Sequence, residues 1–542
     1  MKAAIFTTLL LQALMATTGL AQSFMPGLDF DPNAVHIEVG GSEEQSHVQE
    51  DLARAWAQDK LVVLSHPEHT QLSLRIKQIG RKQESWVEGG PLPMSSNDSF
   101  CDPTVNSWSG YIDMIDGKSI FFYFFESRND PAKDPLVAWT NGGPGASSAI
   151  GLFQELGPCR LKVDEAGRSA PGPISNATEF NPHAWNSVAN MIFVDQPVDV
   201  GYSYSRYGVS SFTSDAAALD MLSFVQLFLA AFPKHRNSDL YWTGESYAGR
   251  YLPVFASTIV DHNKAVRAKA ARSGHKPDPS KEVNLKGVMI GNGWTSAARQ
   301  LPLYYDFLCT KRGGLEPLVG ITACKRMAVW KKKCTPWLLS SCVENWNADE
   351  CGTAQAVCTN ELMAAFVDTG RNVYNAMDLC TRSNKGDCYA IDGAILEFLN
   401  RDDVRAFLGA APASEIGKYA EESRKVFKGF AETEDEFVDS VGFVSGLLEN
   451  GVRVHAYAGT YDFICNWFGF RSIFWEMEWA GKEKLAATKE KDWYVNGTRA
   501  GDSVTVENFT WSTVAEAGHL VPFDQPDRAL HLFRSWLEGR SP

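Results

Sequence analysis

The sequence predicts an α/β protein with a mostly parallel central sheet and helices on both faces. Three observations carry that expectation. From Cys101 onward, short apolar runs alternate with helical patterns, the rhythm of strands separated by crossover helices. One run, Leu240-Tyr241-Trp242-Thr243, leads directly into the glycine-bearing turn Gly244-Glu245-Ser246. Between about residues 300 and 450 the strand rhythm stops, and the text becomes helix-like and cysteine-rich, as a cap inserted into a sheet protein would be.

Composition bounds the rest. With 542 residues, 44% of them hydrophobic and 21% charged, the chain has the make-up of a globular protein able to bury a sizeable core. A formal net charge of -14 argues against a nucleic-acid partner, because no basic excess exists to neutralise phosphates.

Taken in order, Met1-Lys2, an apolar run from Ala3 to about Met15 and the small residues ending in Gly19-Leu20-Ala21 read as a secretory signal peptide over residues 1–21. The apolar run is too short to span a bilayer comfortably, so no membrane anchor is expected. Residues 22–100 read as an N-terminal extension or removable propeptide, closing in a linker-like Glu84–Ser99. Within it, His66-Pro67-Glu68-His69 is expected to be a loop, since proline disfavours a helical two-histidine metal face.

Residues 101–300 form the first part of the predicted core. Trp108–Ile115 and Ser119–Glu126 flank Asp116-Gly117 as a hairpin; Leu136–Thr140, Met191–Asp195, Leu240–Thr243 and Leu285–Gly291 read as strands, and Ser214–Phe232 as a buried helix. Residues 301–450 are the expected cap, and 451–542 return to the core with strands at Val454–Gly459 and Phe509–Val514.

The eleven cysteines of a secreted chain imply disulfides, and seven of them lie between Cys324 and Cys388. No spacing is C-x-x-C, so a stapled insertion is expected there rather than a zinc site. An odd total leaves at least one thiol unpaired unless a bond is intermolecular. Four N-glycosylation sequons, at Asn97, Asn176, Asn496 and Asn508, suit the secretory route.

The chemistry gathers at four places. Gly244-Glu245-Ser246-Tyr247-Ala248-Gly249 departs from a strict G-x-S-x-G because its second glycine falls one position late. A sharp strand-to-helix turn there would nonetheless lift the Ser246 hydroxyl above the sheet edge, where a base can reach it. Leu136–Thr140 feeds Asn141-Gly142-Gly143-Pro144-Gly145, a loop able to bring backbone N–H groups beside a nucleophile as an oxyanion hole. Asp462 follows one late strand and Gly518-His519 another. Nucleophile, acid and histidine in that chain order are the signature of an α/β-hydrolase.

Those blocks, with Asp462-Phe463-Ile464-Cys465-Asn466, Gly518-His519-Leu520-Val521-Pro522, Glu155-Leu156-Gly157-Pro158, Asn181-Pro182, Trp185-Asn186 and Asp195-Gln196-Pro197, resemble the signature segments of the serine carboxypeptidases, and most closely the fungal secreted members. The resemblance runs from about Cys101 to the C-terminus. It implies an α/β-hydrolase with Ser246 as nucleophile, His519 as general base and acid, and Asp462 orienting the imidazole. It further implies an oxyanion hole from the Gly143 and Tyr247 N–H groups, and a clamp for the substrate's terminal carboxylate from Asn141, Glu155 and Glu245. Two glutamates can face a carboxylate only if protons are shared among them, so activity on peptides is expected to be best at acidic pH. Cys465 matches a family cysteine that is unpaired near the site.

Some residues depart from the family pattern. Ala146 stands where many members have cysteine, so one common disulfide is expected to be absent or rerouted. Asp199 replaces a glycine and Leu520 a methionine, while Ile150 and Gln154 differ near the expected terminal-residue pocket. These bear on substrate preference, not reaction class. The reading is thus a secreted, or alternatively vacuolar, enzyme acting on peptide or protein C-termini through an acyl-enzyme, with no cofactor and no metal. The rivals are an esterase or acyltransferase on the same scaffold and an inactive binding protein; Asn141, Glu155 and Glu245 favour the peptidase, and an intact serine, acid and histidine set disfavours the inactive protein.

Overall fold

A computed structural model describes residues 100–542 except 165–166 and 381–387, and, N-terminal to these, residues 34–38, 52, 54–55, 58, 60–65, 71–80, 86–87 and 90–91. The expected signal peptide, His66–His69, most of the linker-like segment and Asn97 lie outside the described residues.

The strands that position the site are β1 (Val35–Glu38), β2 (Val62–Ser65), β3 (Leu72–Gly80), β4 (Ser107–Met114), β5 (Lys118–Phe125), β6 (Leu136–Thr140), β7 (Asn190–Val194), β8 (Leu240–Ser246), β9 (Leu285–Gly293), β10 (Arg453–Gly459), β11 (Lys491–Val495), β12 (Thr498–Val506) and β13 (Phe509–Val514). They lie side by side in the order β1-β2-β3-β4-β5-β7-β6-β8-β9-β10-β13-β12-β11. The run from β7 through β6, β8, β9 and β10 to β13 is parallel throughout. Antiparallel hairpins extend it at both ends.

Because strand side chains alternate between faces, β5 feeds two cores. Ile120, Phe122 and Phe124 join helices α1 (Ser214–Ala231) and α2 (Ala248–Arg272) on one face. Phe121, Tyr123 and Phe125 join Trp139, Phe153 and Trp185 on the other. Helix α1 is apolar and long enough to match a membrane span, but 61% of it is buried, and its phenylalanines pack on β5. It begins at the N-cap Thr213, whose hydroxyl accepts from the Ala216 N–H.

The insertion between 301 and 450 contains α3 (Ile321–Leu339) and α4 (Ala348–Val367). Cys334–Cys358 joins the two helices, flanked by Cys309–Cys324 and Cys342–Cys351, and Cys380–Cys388 closes a later loop. Cys101–Cys159 staples the start of the core, and Cys465 is the one free thiol, buried. The cap has its own apolar cluster, which includes Phe463, the neighbour of Asp462, stacked on Phe366 at 4.0 Å.

Strands from the segment read as an N-terminal extension or propeptide extend the sheet. Strand β3 pairs with β4 from Leu72–Met114 to Gly80–Ser107, and β2 and β1 add to its outer edge. Arg75 donates to both carboxylate oxygens of Asp113 at 2.5 and 2.7 Å and to the Tyr204 hydroxyl at 3.0 Å, all buried. Leu74 and Ile76 are fully buried in the same core as β5. A cut at residue 100 would strip these partners, so residues 72–80 belong structurally with the sheet. LSLRIKQIG alternates apolar and polar residues from Leu72 to Lys77, a strand signal that the reading of residues 22–100 as an extension passed over.

Removing one partner of this ion pair leaves the other charge buried and uncompensated. Asp113→Ala is expected to lower unfolding free energy by about 3–5 kcal/mol, read by urea denaturation of the protein that retains residues 72–80. An unchanged midpoint would show that the pair is not what ties β3 to the sheet.

Candidate active site

Ser246 ends β8 with φ 63, in the left-handed region that an L-residue enters only when its surroundings force it there. Those surroundings are visible. A Cβ on Gly244 would lie 2.3 Å from the Thr140 carbonyl oxygen and 2.8 Å from the Ala248 Cβ, so the turn needs glycine at 244 and a small residue at 248. A Cβ on Gly249 would lie 2.7 Å from the Trp294 nitrogen and 2.6 Å from the Thr295 hydroxyl. The late second glycine is therefore a packing requirement of α2 against the segment that follows β9.

The loop after β6 presses on this turn from above. A Cβ on Gly142 would sit 2.3 Å from the Tyr247 backbone nitrogen and 2.7 Å from the Ser246 Cβ. Gly143 follows with φ 103, so the two backbone amides expected to bind an oxyanion, those of Gly143 and Tyr247, lie in directly apposed segments. Behind the turn, the Tyr247 hydroxyl donates to Asp435 Oδ2 at 2.8 Å, and Arg250 pairs with Asp435 Oδ1 at 3.2 Å.

Asp462 is completely buried, follows β10, and accepts four hydrogen bonds. Its Oδ2 accepts from His519 Nδ1 at 2.8 Å, Asn292 Nδ2 at 2.7 Å and the Cys465 N–H at 3.2 Å; its Oδ1 accepts from the Ile464 N–H at 3.0 Å. With Nδ1 facing the Asp462 carboxylate, the tautomer that donates from Nδ1 leaves Nε2 as the proton acceptor. Tyr374 lies over the His519 ring at 5.2 Å, and its carbonyl oxygen accepts from the His519 N–H at 2.7 Å.

Cys465 lies within hydrogen-bond reach of the Ser246 hydroxyl, and burial, reinforced by Asp462 and Glu245, pushes its thiol well above the usual range. Asp462, Cys465 and His519 bring ligand atoms within 4.8 Å of one another. A thiol held protonated by burial is a poor metal ligand, and the carboxylate is already engaged by its four donors.

The third grouping is wholly buried. Asn141 is aimed by two donors to its Oδ1, Trp139 Nε1 at 2.7 Å and the Gly151 N–H at 3.1 Å. Its Nδ2 then donates to Glu155 Oε1 at 3.3 Å and Glu245 Oε1 at 3.1 Å. Burial and mutual repulsion push Glu245 well above the usual carboxylate range, and burial raises Glu155 as well. The pair thus retains a proton at pH values where exposed glutamates have lost theirs.

The structure accordingly gathers Ser246, Asp462, His519, Gly143, Tyr247, Asn141, Glu155 and Glu245 at the C-terminal ends of the parallel strands. Elsewhere, Asn176 and Asn496 are exposed, whereas Asn508 uses its amide to donate to the Leu448 and Val452 carbonyls, each at 2.9 Å. Asp199 has φ 76, which accounts for a glycine being usual there, and pairs with Lys425 at 2.6 Å. Sequence reasoning missed Asn292, whose φ of 40 and two-sided bonding, to Asp462 and from the Gly459 N–H at 3.0 Å, carried no motif.

Fold and site together define an α/β-hydrolase with a serine-centred site. A family model described as serine carboxypeptidase matches residues 97–539, and the chain belongs to that family. It is 38% identical over 437 residues to carboxypeptidase Y of Candida albicans, covering 80% of this chain and 74% of that one. It is 34% identical over 488 residues to the vacuolar serine-type carboxypeptidase ATG42 of Saccharomyces cerevisiae, covering 88% of this chain and 89% of the other. In fold it is similar to Kex1(Δ)p, a prohormone-processing carboxypeptidase from Saccharomyces cerevisiae, with TM-score 0.62 and 22% identity over 86% of this chain and 91% of that one. The protein is a serine-type carboxypeptidase.

Asn292 holds Asp462 without touching the reacting atoms, so it is a positioning residue. Asn292→Ala should lower kcat by about 10- to 100-fold, the worth of one hydrogen bond to a charged group, with KM little changed and the fold intact by circular dichroism. A parallel rise in KM alone would argue against that role.

Proposed function

We propose that this enzyme releases single C-terminal residues from peptides through an acyl-enzyme on Ser246, working best at acidic pH in a vacuolar or extracellular setting. The observation that carries the C-terminal specificity is the buried trio of Asn141, Glu155 and Glu245 next to the serine turn. Burying two carboxyls together is expensive in a hydrolase core unless they serve a ligand. A site able to donate protons toward a single carboxylate fits a free C-terminus.

In the proposed reaction, Ser246 Oγ attacks the scissile carbonyl carbon while His519 Nε2 takes its proton. The carbonyl oxygen gains the negative charge facing the Gly143 and Tyr247 N–H groups. His519 passes the proton to the leaving nitrogen, the C–N bond breaks, and the free C-terminal amino acid departs. Water, deprotonated by His519, then cleaves the ester, and the proton returns to Ser246. Asp462 orients the imidazole throughout.

The pH dependence follows from the clamp. With a proton shared between Glu155 and Glu245, the trio can donate to the substrate carboxylate. As pH rises through their elevated pKa values the pair gains charge and repels it, so KM for peptides should climb. Exposed Asn176 and Asn496 are the sequons we expect to carry glycans on the secretory route.

Two measurements test this. A blocked dipeptide and its C-terminally amidated form should differ strongly in kcat/KM at acidic pH and converge toward alkaline pH, and Ser246→Ala should abolish both activities. Glu155→Gln with Glu245→Gln should impair peptide cleavage more than tenfold beyond cleavage of a simple ester, the loss expected when buried polar partners are mismatched. Equal losses on peptide and ester, with Ser246 still labelled by a phosphonate, would favour the esterase or acyltransferase reading.

A further inference from the structure

Four consecutive residues of the insertion, 373–376, are bonded to both of the loops that carry Asp462 and His519. On one side, the Val373 carbonyl accepts from the Phe463 N–H at 3.3 Å and the Ile464 N–H at 3.1 Å, and the Ala376 N–H donates to the Tyr461 carbonyl at 2.8 Å. Asp462 is thus held through the backbone before and after it. On the other side, the Tyr374 carbonyl accepts from the His519 N–H at 2.7 Å. The two loops also meet directly, the Tyr461 N–H donating to the Ala517 carbonyl at 2.7 Å.

Two side chains fasten this segment to the histidine loop. Asp524 Oδ2 accepts from the Gly518 N–H at 2.6 Å and from Asn375 Nδ2 at 3.3 Å. The Asn375 amide is aimed, because its Oδ1 accepts from the Met377 N–H at 3.1 Å and leaves Nδ2 to face Asp524. The segment is braced from within as well. The Tyr374 N–H donates to Asn372 Oδ1 at 2.9 Å, and Arg371 Nη1 donates to the Ala376 carbonyl at 2.8 Å. The fit is close: a Cβ on Gly518 would lie 2.3 Å from the Tyr374 carbonyl oxygen and 2.9 Å from the Asn375 Cβ. Among the described residues, neither Asn375 nor Asp524 is hydrogen-bonded to Ser246, Asp462 or the His519 ring.

We propose that Asn375 and Asp524 are positioning residues, which lock residues 373–376 to the histidine loop and so set how His519 stands between Asp462 and Ser246. The inference rests on the reading of His519 as the base that activates Ser246 and of Asp462 as its orienting partner. It is independent of whether the substrate ends in a free carboxylate. A displacement of about 1 Å at a proton-transferring group costs up to about 100-fold in rate, while groups that bind substrate elsewhere stay where they were. Loss of the lock therefore acts on kcat and not on KM.

The lock has a polarity that exchanging the two residues preserves. In Asp524→Asn two amides face each other, and in Asn375→Asp two carboxylates do. With both substitutions together, the amide at 524 accepts from Gly518 and donates to the carboxylate at 375, which still accepts from Met377. Each single variant should lower kcat on a blocked dipeptide, and the rate of phosphonate labelling at Ser246, by about tenfold, with KM within about twofold of wild type. The exchange should restore most of both rates. Single variants that match wild type, losses confined to KM, or losses that multiply in the exchange overturn the proposal. Where a single variant unfolds early in urea, Asn375→Ser, which removes the amide without adding a charge, carries the same expectation. His519→Ala is the reference and should all but abolish labelling. Labelling left intact in that variant would overturn the reading of His519 as base, whatever the exchange does, and the lock proposal with it.

Discussion

The backbone of Ser246, held at positive φ between β8 and α2, is the constraint on which the rest of the site depends. Such a conformation is worth on the order of 1–3 kcal/mol of strain, and it persists because neighbours over-determine it. Gly142 lies against it from one side, and the Ser246 carbonyl accepts from the Trp294 N–H at 2.7 Å on the other. Three consecutive residues then do three different things. Glu245 turns into the buried clamp, Ser246 turns toward Cys465, and the Tyr247 nitrogen turns toward the Gly142–Gly143 loop. Relaxing the turn would displace all three together.

The electrostatics of the site separate its carboxyls by environment. Asp462 is fully buried, but four donors converge on it. Glu155 and Glu245 are equally buried with Asn141 as their donor, and burial pushes both above the usual carboxylate range. Asp195, also buried and receiving the Ser147 hydroxyl and two backbone N–H groups, is pushed up by burial to about 6.

The cap is tied to the site as well as to itself. Its disulfides hold α3 and α4 together, but Phe463 belongs to the cap cluster while Asp462 beside it belongs to the site. Asp435, from the same insertion, receives the Tyr247 hydroxyl and pairs with Arg250. Tyr374 and Glu422 come from it too. The insertion thus supplies walls and supports for a site whose reacting groups all come from the sheet.

Local sequence was enough for features whose signal is local. The parallel strands are buried along their length because both faces are covered, and Leu136–Thr140 and Phe509–Val514 were legible to the residue. The order of serine, aspartate and histidine, with glycines where backbones must touch, pointed to the site, and the unpaired Cys465 followed from family resemblance. Tertiary structure alone decided the features that rest on long-range pairing. The three N-terminal strands, the third with clear alternation from Leu72 to Lys77, acquire their place in the sheet only from β4 and the Arg75–Asp113 pair. Asn292 is one asparagine among many until Asp462, 170 residues away, accepts from it. Glu422 is an ordinary surface acid in the text, and only the bridge to Ala146 sets it against the loop that follows Gly143. A residue's chemistry is written at its own position, but its field and its partners are set by whatever the fold brings next to it.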